Sequence, residues 1–127
     1  MLVRWLIFNL YNFMKHTIDA SGKKLGRVAS EAAKILVGKN SVEFARNKAP
    51  QVTVEVINAG KISVTEAKLR DKTYKNYSGF PSGLNIQTLS KIKETKGMSE
   101  AIRRAVKGML PKNKLQAIMI KNLKVTE

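Results

Sequence analysis

Apolar residues recur along this chain at two spacings, and each spacing predicts a type of secondary structure. Residues 25–36 follow the period of an amphipathic helix, and Gly38 is placed to end that helix. Residues 52–57 begin with apolar and polar positions in alternation, as on a strand with one buried face. Shorter apolar runs predict a strand at 17–20 and another at 62–64.

The stretch 68–83 is polar, basic and aromatic, with closely spaced glycines and a proline. We interpret it as an extended functional loop. Its aromatic residues, Tyr74, Tyr77 and Phe80, have two interpretations: they stack on the bases or riboses of a nucleic acid, or they cover the core beneath a turn. The sequence leaves both open.

The last third of the chain is predicted to be mostly helical. Apolar spacing indicates a short helix after Asn85 and a longer one that Ser99 caps and Gly108 ends. Pro111 is placed to open a further helix, where its missing N–H does no harm, and Val125 is expected in an edge strand. A strand, a helix, a strand and then further helices predict a layered α/β domain.

The chain has 127 residues, which predicts one domain, and its first residues differ from the rest. Residues 1–13 (MLVRWLIFNLYNF) are apolar but too few to cross a bilayer, and no convincing signal-peptide cleavage site follows them. A packing helix and a membrane-surface anchor are both open for this stretch. We favour an N-terminal extension upstream of the true start at Met14, followed by one domain over 14–127.

Charge narrows the class of partner. Lys and Arg total 24 against 9 Asp and Glu, and the net charge of +15 favours a nucleic acid. For any single lysine a solvated helix face is the simpler explanation, so the inference depends on an uncompensated run. That run lies off the apolar stripe of the last third, with no acid between residues 101 and 124: Arg103, Arg104, Lys107, Lys112, Lys114, Lys121 and Lys124.

Candidates for other chemistry are few. Cysteine is absent from the sequence and His16 is its single histidine, so we expect neither a metal site nor a cofactor. We interpret His16 as a strand-end residue rather than a base, and we expect no enzyme activity and no small-molecule substrate. The segment 22–27 (GKKLGR) opens the first helix, where phosphate can bind, but its spacing is not that of a P-loop.

Several segments along the chain have distinctive sequences in a fixed order. The most specific is AVKGMLPKNKL at 105–115, and YSGFPSGL at 77–84 is a second. The others are IDA at 18–20, GKKLGRVAS at 22–30, LVGK at 36–39, VINA at 56–59 and KNLKV at 121–125. Together they resemble the family of bacterial ribosomal protein thirteen of the large subunit, over most of the chain.

The resemblance implies a three-layer α/β/α fold around a small, mainly parallel four-stranded sheet. It also implies a structural role in the large subunit of the cytoplasmic ribosome. The implied partners are its 23S-type rRNA, bound directly and early in assembly, and neighbouring large-subunit proteins; no membrane is expected. Carried over position by position, it gives these RNA-facing residues: Lys23, Lys24, Arg27, Lys75, Tyr77, Ser78, Gly79, Gly83, Lys107, Lys112, Asn113 and Lys114. The basic run adds Arg103 and Arg104.

The sequence departs from that family in several places. Residues 45–51 (ARNKAPQ) are more basic than the family's acidic, glycine-containing stretch, and Ser82 replaces the first glycine of its Pro-Gly-Gly step. The histidine-rich tail and the lead-in of many members do not occur in the sequence. A basic architectural DNA-binding protein is the alternative function, which would prefer and bend duplex DNA. Membrane-surface binding through residues 1–14 is a third.

Overall fold

The computed structural model describes residues 2–3 and 14–127. The expected extension, residues 1–13, therefore lies almost wholly outside the described residues, and its assignment stays a prediction. Residues 14–127 fold into five strands, four α-helices and a 3-10 turn. In chain order these are β1 (Met14–Asp19), α1 (Leu25–Val37), β2 (Val52–Ile57), the 3-10 turn (Ala59–Lys61), α2 (Glu66–Asp71), β3 (Thr73–Tyr77), β4 (Leu84–Thr88), α3 (Leu89–Met109), α4 (Gln116–Lys121) and β5 (Leu123–Val125).

A parallel sheet forms the centre of the fold, in the strand order β1-β2-β5. Its register pairs Ile18 with Val56 and Val54 with Leu123, and β5 lies at an edge as expected. The predicted α/β class and the parallel arrangement are confirmed. The described sheet has three strands rather than the expected four.

The missing fourth strand corresponds to the predicted run at 62–64. This segment makes one isolated parallel bridge, between Lys24 and Ser63, and does not extend into a ladder. The Ser63 N–H donates to the Lys23 carbonyl at 2.9 Å. The segment follows the 3-10 turn and is followed at once by α2, so little chain is left for further pairing.

The longer helices pack on one face of the sheet. On the central strand β2, Val52, Val54 and Val56 are buried, whereas Thr53 and Glu55 on the opposite face are only half-buried. Side chains of α1, α3 and α4 join the same core as those valines. Strands buried on both faces are apolar at nearly every position, and β2 is not. Among the described residues, this core therefore lies on the face of the sheet that carries the valines.

The prediction of a loop over 68–83 is wrong for residues 68–77. The chain forms α2, and then β3 pairs with β4 as an antiparallel hairpin whose turn is 78–83. Lys75 pairs with Ile86 and Tyr77 with Leu84 across the hairpin. The polar side chains had indicated a loop because most of the hairpin is exposed on both faces.

Helix α3 contains both of the predicted C-terminal helices. It begins at Leu89 rather than directly after Asn85, with the Thr88 hydroxyl accepting from the Lys91 N–H at 3.3 Å. A break at Gly97, with φ 79° and ψ 173°, separates its two parts. Ser99 does not cap the second part. Its N–H instead donates to the Glu127 carboxylate at 3.4 Å.

The predicted helix at Pro111 begins later than expected. Gly108 lies inside α3, which ends at Met109, and α4 begins only at Gln116. Between them Asn113 forms a turn, since its side-chain oxygen accepts from the Leu115 N–H at 3.1 Å. Aspartate and asparagine compete with helix formation through such local bonds.

We expect Gly97→Ala to destabilise the fold by about 1–3 kcal/mol, because its backbone conformation is one that essentially only glycine adopts. A Cβ there would also overlap the Glu127 carboxylate, although that side chain can move. Gly108→Ala is the matched control, since it lies in helical backbone of α3 with open space around it. It should leave stability unchanged or raise it by up to about 1 kcal/mol. Urea unfolding measures both, and equal losses would contradict the assignment.

Asp19 joins the ends of β1 and β2. Its carboxylate accepts from the Ser21 N–H at 2.9 Å and from the Asn58 amide at 3.1 Å. These hydrogen bonds, with the nearby charges of Lys23 and Lys61, hold the pKa of Asp19 below its usual value. A depressed carboxylate pKa contributes stability above the unfolded pKa of about 3.9, and this is lost as pH falls through the folded pKa.

Asp19→Asn should therefore lower the melting temperature at pH 7, and the difference from wild type should shrink below about pH 4. Circular dichroism melts from pH 7 to pH 2.5 would measure it. Asp71→Asn is the matched control, because it changes another exposed aspartate whose carboxylate accepts no hydrogen bond among the described residues, and it should alter the melting temperature little. A pH-independent difference for Asp19→Asn would show that the charge of Asp19 is not what stabilises this corner.

Candidate nucleic-acid interface

Tyr74 is the point at which the hairpin meets helix α3. Its half-buried ring packs against a small core formed by Leu89, Met98 and Ala101. The Arg104 guanidinium lies 5.2 Å from the ring centroid, and the Lys72 ammonium lies 5.5 Å from it. Both distances are within the range of cation–π attraction. Burial raises the pKa of Tyr74, and the charge of Arg104 opposes that effect.

Arg104 is held from a second side. Its Nε donates to the Glu100 carboxylate at 3.0 Å, one turn earlier in α3. The ion pair and the Tyr74 ring together restrict a side chain that would otherwise sample many rotamers. Arg104 is therefore a fixed guanidinium at the boundary between the hairpin and α3, and it borders the clefts on both sides.

The first cleft lies between the hairpin and α3 and has a volume of about 590 Å³. Three cations line it, together with the amide side chains of both strands. No acidic residue is among the lining residues, which are Thr73, Tyr74, Lys75, Asn76, Asn85, Gln87, Lys96 and Arg104. This composition suits an anionic ligand that also has hydrogen-bond donors and acceptors.

The second cleft lies between the last turns of α3 and the loop before α4. It is more open, has a volume of about 560 Å³ and shares Tyr74 and Arg104 with the first cleft. Lys107, Lys112 and Asn113 add to its lining. The Gln116 side-chain amide donates to the Lys107 carbonyl at 2.9 Å, which fastens this loop to the end of α3.

The structure brings five of the residues predicted from sequence to these adjoining clefts. They are Lys75, Arg104, Lys107, Lys112 and Asn113. Arg103 and Lys114 are exposed but line neither cleft. Of the predicted basic run, Lys124 lies apart in β5, on the polar face of the sheet with Glu55. Three residues of the run, Arg104, Lys107 and Lys112, therefore line the clefts, and the other four do not.

Lys23, Lys24 and Arg27 surround the start of α1 and line neither cleft. Lys23 lies 3.4 Å from the Glu31 carboxylate, and the Lys24 ammonium donates to the Ser63 hydroxyl at 3.2 Å. Arg27 is exposed. Two of these three cations, Lys23 and Lys24, therefore already interact with side chains of the protein itself.

The remaining predicted residues, Tyr77, Ser78, Gly79 and Gly83, lie at the hairpin tip, where the first three are exposed and Gly83 is half-buried. Tyr77 is 63% exposed and Phe80 72% exposed, so neither covers the core, whereas Tyr74 does. Gly79 has φ +87° and Ser82 has φ 64°, so the serine adopts the left-handed backbone usual for the glycine it replaces. The Ser78 N–H closes the turn by donating to the Gly83 carbonyl at 3.3 Å.

Known proteins are similar to this chain over most of its length. The family described as Ribosomal protein L13 matches residues 14–127. The chain belongs to this family. A relative from Dehalococcoides mccartyi is 47% identical over 112 residues, covering 88% of this chain and 78% of the relative. One from Caldanaerobacter subterraneus subsp. tengcongensis is 50% identical over 108 residues, covering 85% and 75%. Both relatives are called large ribosomal subunit protein uL13.

Membership in the L13 family makes the protein a ribosomal, non-enzymatic one, as the sequence had indicated. His16 lies within β1, half-buried, rather than at the end of the strand. Among the described residues, no helix combines the length and the apolar character needed to cross a bilayer.

The sequence analysis of this L13 chain missed the amides of the first cleft, Asn76, Asn85 and Gln87, and the cation Lys96. The sequence does contain a pattern that indicates these amides. Tyr74 and Asn76 are two residues apart in β3, and Asn85 and Gln87 are two residues apart in β4, so all four side chains lie on one face of the hairpin. This pattern has a meaning only if the segment is a hairpin, and we had interpreted residues 68–83 as a loop.

The link between the hairpin and α3 can be tested with a double-mutant cycle of Tyr74→Leu and Arg104→Met. We expect a coupling of about 0.5–1 kcal/mol, because each change alone removes the same cation–π contact. Urea unfolding of the four proteins measures it. A cycle of Tyr74→Leu with Arg103→Met, the neighbouring arginine, should be additive. Additivity in both cycles would contradict a stabilising contact between Tyr74 and Arg104.

Proposed function

We propose that this chain is a structural constituent of the large ribosomal subunit that binds its rRNA directly through the two clefts and the hairpin tip. The observation that supports this most is the set of cations around the clefts. Among the described residues, Arg104 is the one cation of the clefts that forms an ion pair, and it borders both clefts while it does so. Lys75, Lys107 and Lys112 are exposed. A partner with closely spaced negative charges would compensate them.

The mechanism is charge neutralisation on a fixed surface. Lys107 on α3 and Lys112 in the following loop both line the second cleft, and the hydrogen bond from Gln116 to the Lys107 carbonyl joins the two segments. Each phosphate that a lysine neutralises releases about one counterion, so affinity should fall steeply with salt. Folded rRNA, in which phosphates of several helices converge, supplies this charge in a defined shape.

The hairpin tip adds a different kind of contact. Tyr77 and Phe80 present ring faces to solvent, and such rings stack on unpaired bases or riboses. Gly79 is exposed and has open space where a Cβ would lie, which lets the backbone approach a phosphate closely. We propose that the tip inserts into irregular RNA while the clefts fix its orientation.

Lys23, Lys24 and Arg27 at the start of α1 are proposed as a further RNA contact, together with the exposed Arg103 and Lys114. Binding early in assembly, contact with neighbouring large-subunit proteins and location in the cytoplasmic ribosome complete the proposal. They are supported by the family and by the names of the relatives. Base-specific readout is not needed for this part of the function.

Lys107→Gln/Lys112→Gln should weaken binding to deproteinised large-subunit rRNA and reduce the slope of log affinity against log salt by about 2, one unit for each lost phosphate contact. Filter binding at several salt concentrations measures it. Lys34→Gln/Lys39→Gln removes the same charge from exposed positions on and just after α1, away from both clefts. The control should keep the slope. Equal slopes for all three proteins, or stronger competition by duplex DNA than by rRNA, would refute the proposal.

A further inference from the structure

We infer that the first cleft binds one unpaired nucleotide of the RNA and distinguishes its base through the amides of Asn76, Asn85 and Gln87. This inference rests on the proposed rRNA binding and adds a base-reading site to it. The three amides lie on one face of the hairpin, because Asn76 pairs with Asn85 and Tyr74 with Gln87 across the strands. That face forms a wall of the first cleft, opposite α3.

These amides are available for a ligand. Within the described residues none of the three side chains forms a hydrogen bond to the protein, and Asn76 and Asn85 are exposed. Each amide carries both a donor and an acceptor, which is the combination that pairs with the edge of a base. Phosphate has acceptors alone, so a cleft built for phosphate would not need the acceptors of three amides.

The other lining residues fit the remaining parts of a nucleotide. Lys96 supplies a cation for its phosphate, and the Arg104 guanidinium supplies a planar surface on which a base can stack. Since Glu100 and Tyr74 already fix Arg104, little further side-chain entropy is lost on binding. The volume of about 590 Å³ lies within the range of small-ligand sites, about 300–1,000 Å³.

Continuity between the clefts favours RNA over an acidic peptide. Tyr74 and Arg104 belong to both, so a strand whose base enters the first cleft can place its next phosphates near Lys107 and Lys112. The nucleotide must be unpaired, because base edges inside an A-form duplex are not accessible to these side chains. A looped-out or single-stranded nucleotide in the rRNA is therefore the ligand.

The test compares the full chain with the variant Asn76→Ala/Asn85→Ala/Gln87→Ala. The matched control is Asn40→Ala/Asn47→Ala/Gln51→Ala. It also removes two asparagine amides and one glutamine amide, but from exposed positions outside both clefts. Affinity for deproteinised large-subunit rRNA is measured over a range of salt. Poly(A), poly(U) and poly(C) serve as competitors at constant salt, and melting temperatures show whether each variant is folded.

We expect the cleft variant to lose affinity for rRNA by a factor of about 5 to 150, the discrimination of one bidentate amide–base pair, with its salt slope unchanged. The wild type and the control should discriminate among the homopolymers, and the cleft variant should do so much less. If the triple variant melts early, the single changes Asn85→Ala and Asn40→Ala make the same comparison at exposed positions.

Other outcomes overturn the inference and are distinguishable from failure of the proposed function. Unchanged affinity, while Lys107→Gln/Lys112→Gln still lowers the salt slope, would leave rRNA binding intact and remove the base site. A reduced slope in the amide variant would mean that the cleft holds phosphate. If the wild type binds a poly-glutamate peptide and the amide variant does not, while both bind rRNA equally, the cleft holds an acidic peptide. If the wild type itself binds no rRNA, the proposed function fails with it.

Discussion

A single apolar face of the parallel sheet determines the arrangement of this protein. The valines of β2 lie on one face only, and Val54 and Val56 are fully buried there. Both α1 and the second half of α3 cover that face, because its buried valines offer apolar area to bury. Their polar sides consequently point away from the core. The cations of α3 are thus fixed on the outside before any partner is bound.

The hairpin depends on this arrangement in turn. A two-stranded hairpin alone is at best marginally stable in water. Here Tyr74 and the small core of Leu89, Met98 and Ala101 fasten it to α3, and Arg104 reinforces the contact from the helix side. The first cleft exists because this joint holds the hairpin against α3, and Tyr74 and Arg104 at the joint also border the second cleft.

In the function that we propose, the two clefts divide recognition of the RNA between charge and hydrogen bonding. Lysines at the end of α3 and in the following loop provide a salt-dependent attraction that any arrangement of phosphates can satisfy. Amides on the hairpin provide direction, because their donors and acceptors must meet matching groups. Arg104 borders both and connects the two kinds of contact.

The sequence by itself determined what depends on neighbouring residues. Apolar period and Gly38 defined α1, alternation defined β2, and the ordered segments, above all 105–115, identified the family. Only the tertiary structure decided that 73–88 is a hairpin, and that Asn76, Asn85 and Gln87 share a cleft with Lys96. It also decided that the described parallel sheet has three strands covered on one face. The reason is physical. Helix period and strand alternation are set by neighbouring residues and can be read from the sequence. Strand pairing and the walls of a cleft form between different segments, and no local pattern in the sequence says which segments meet.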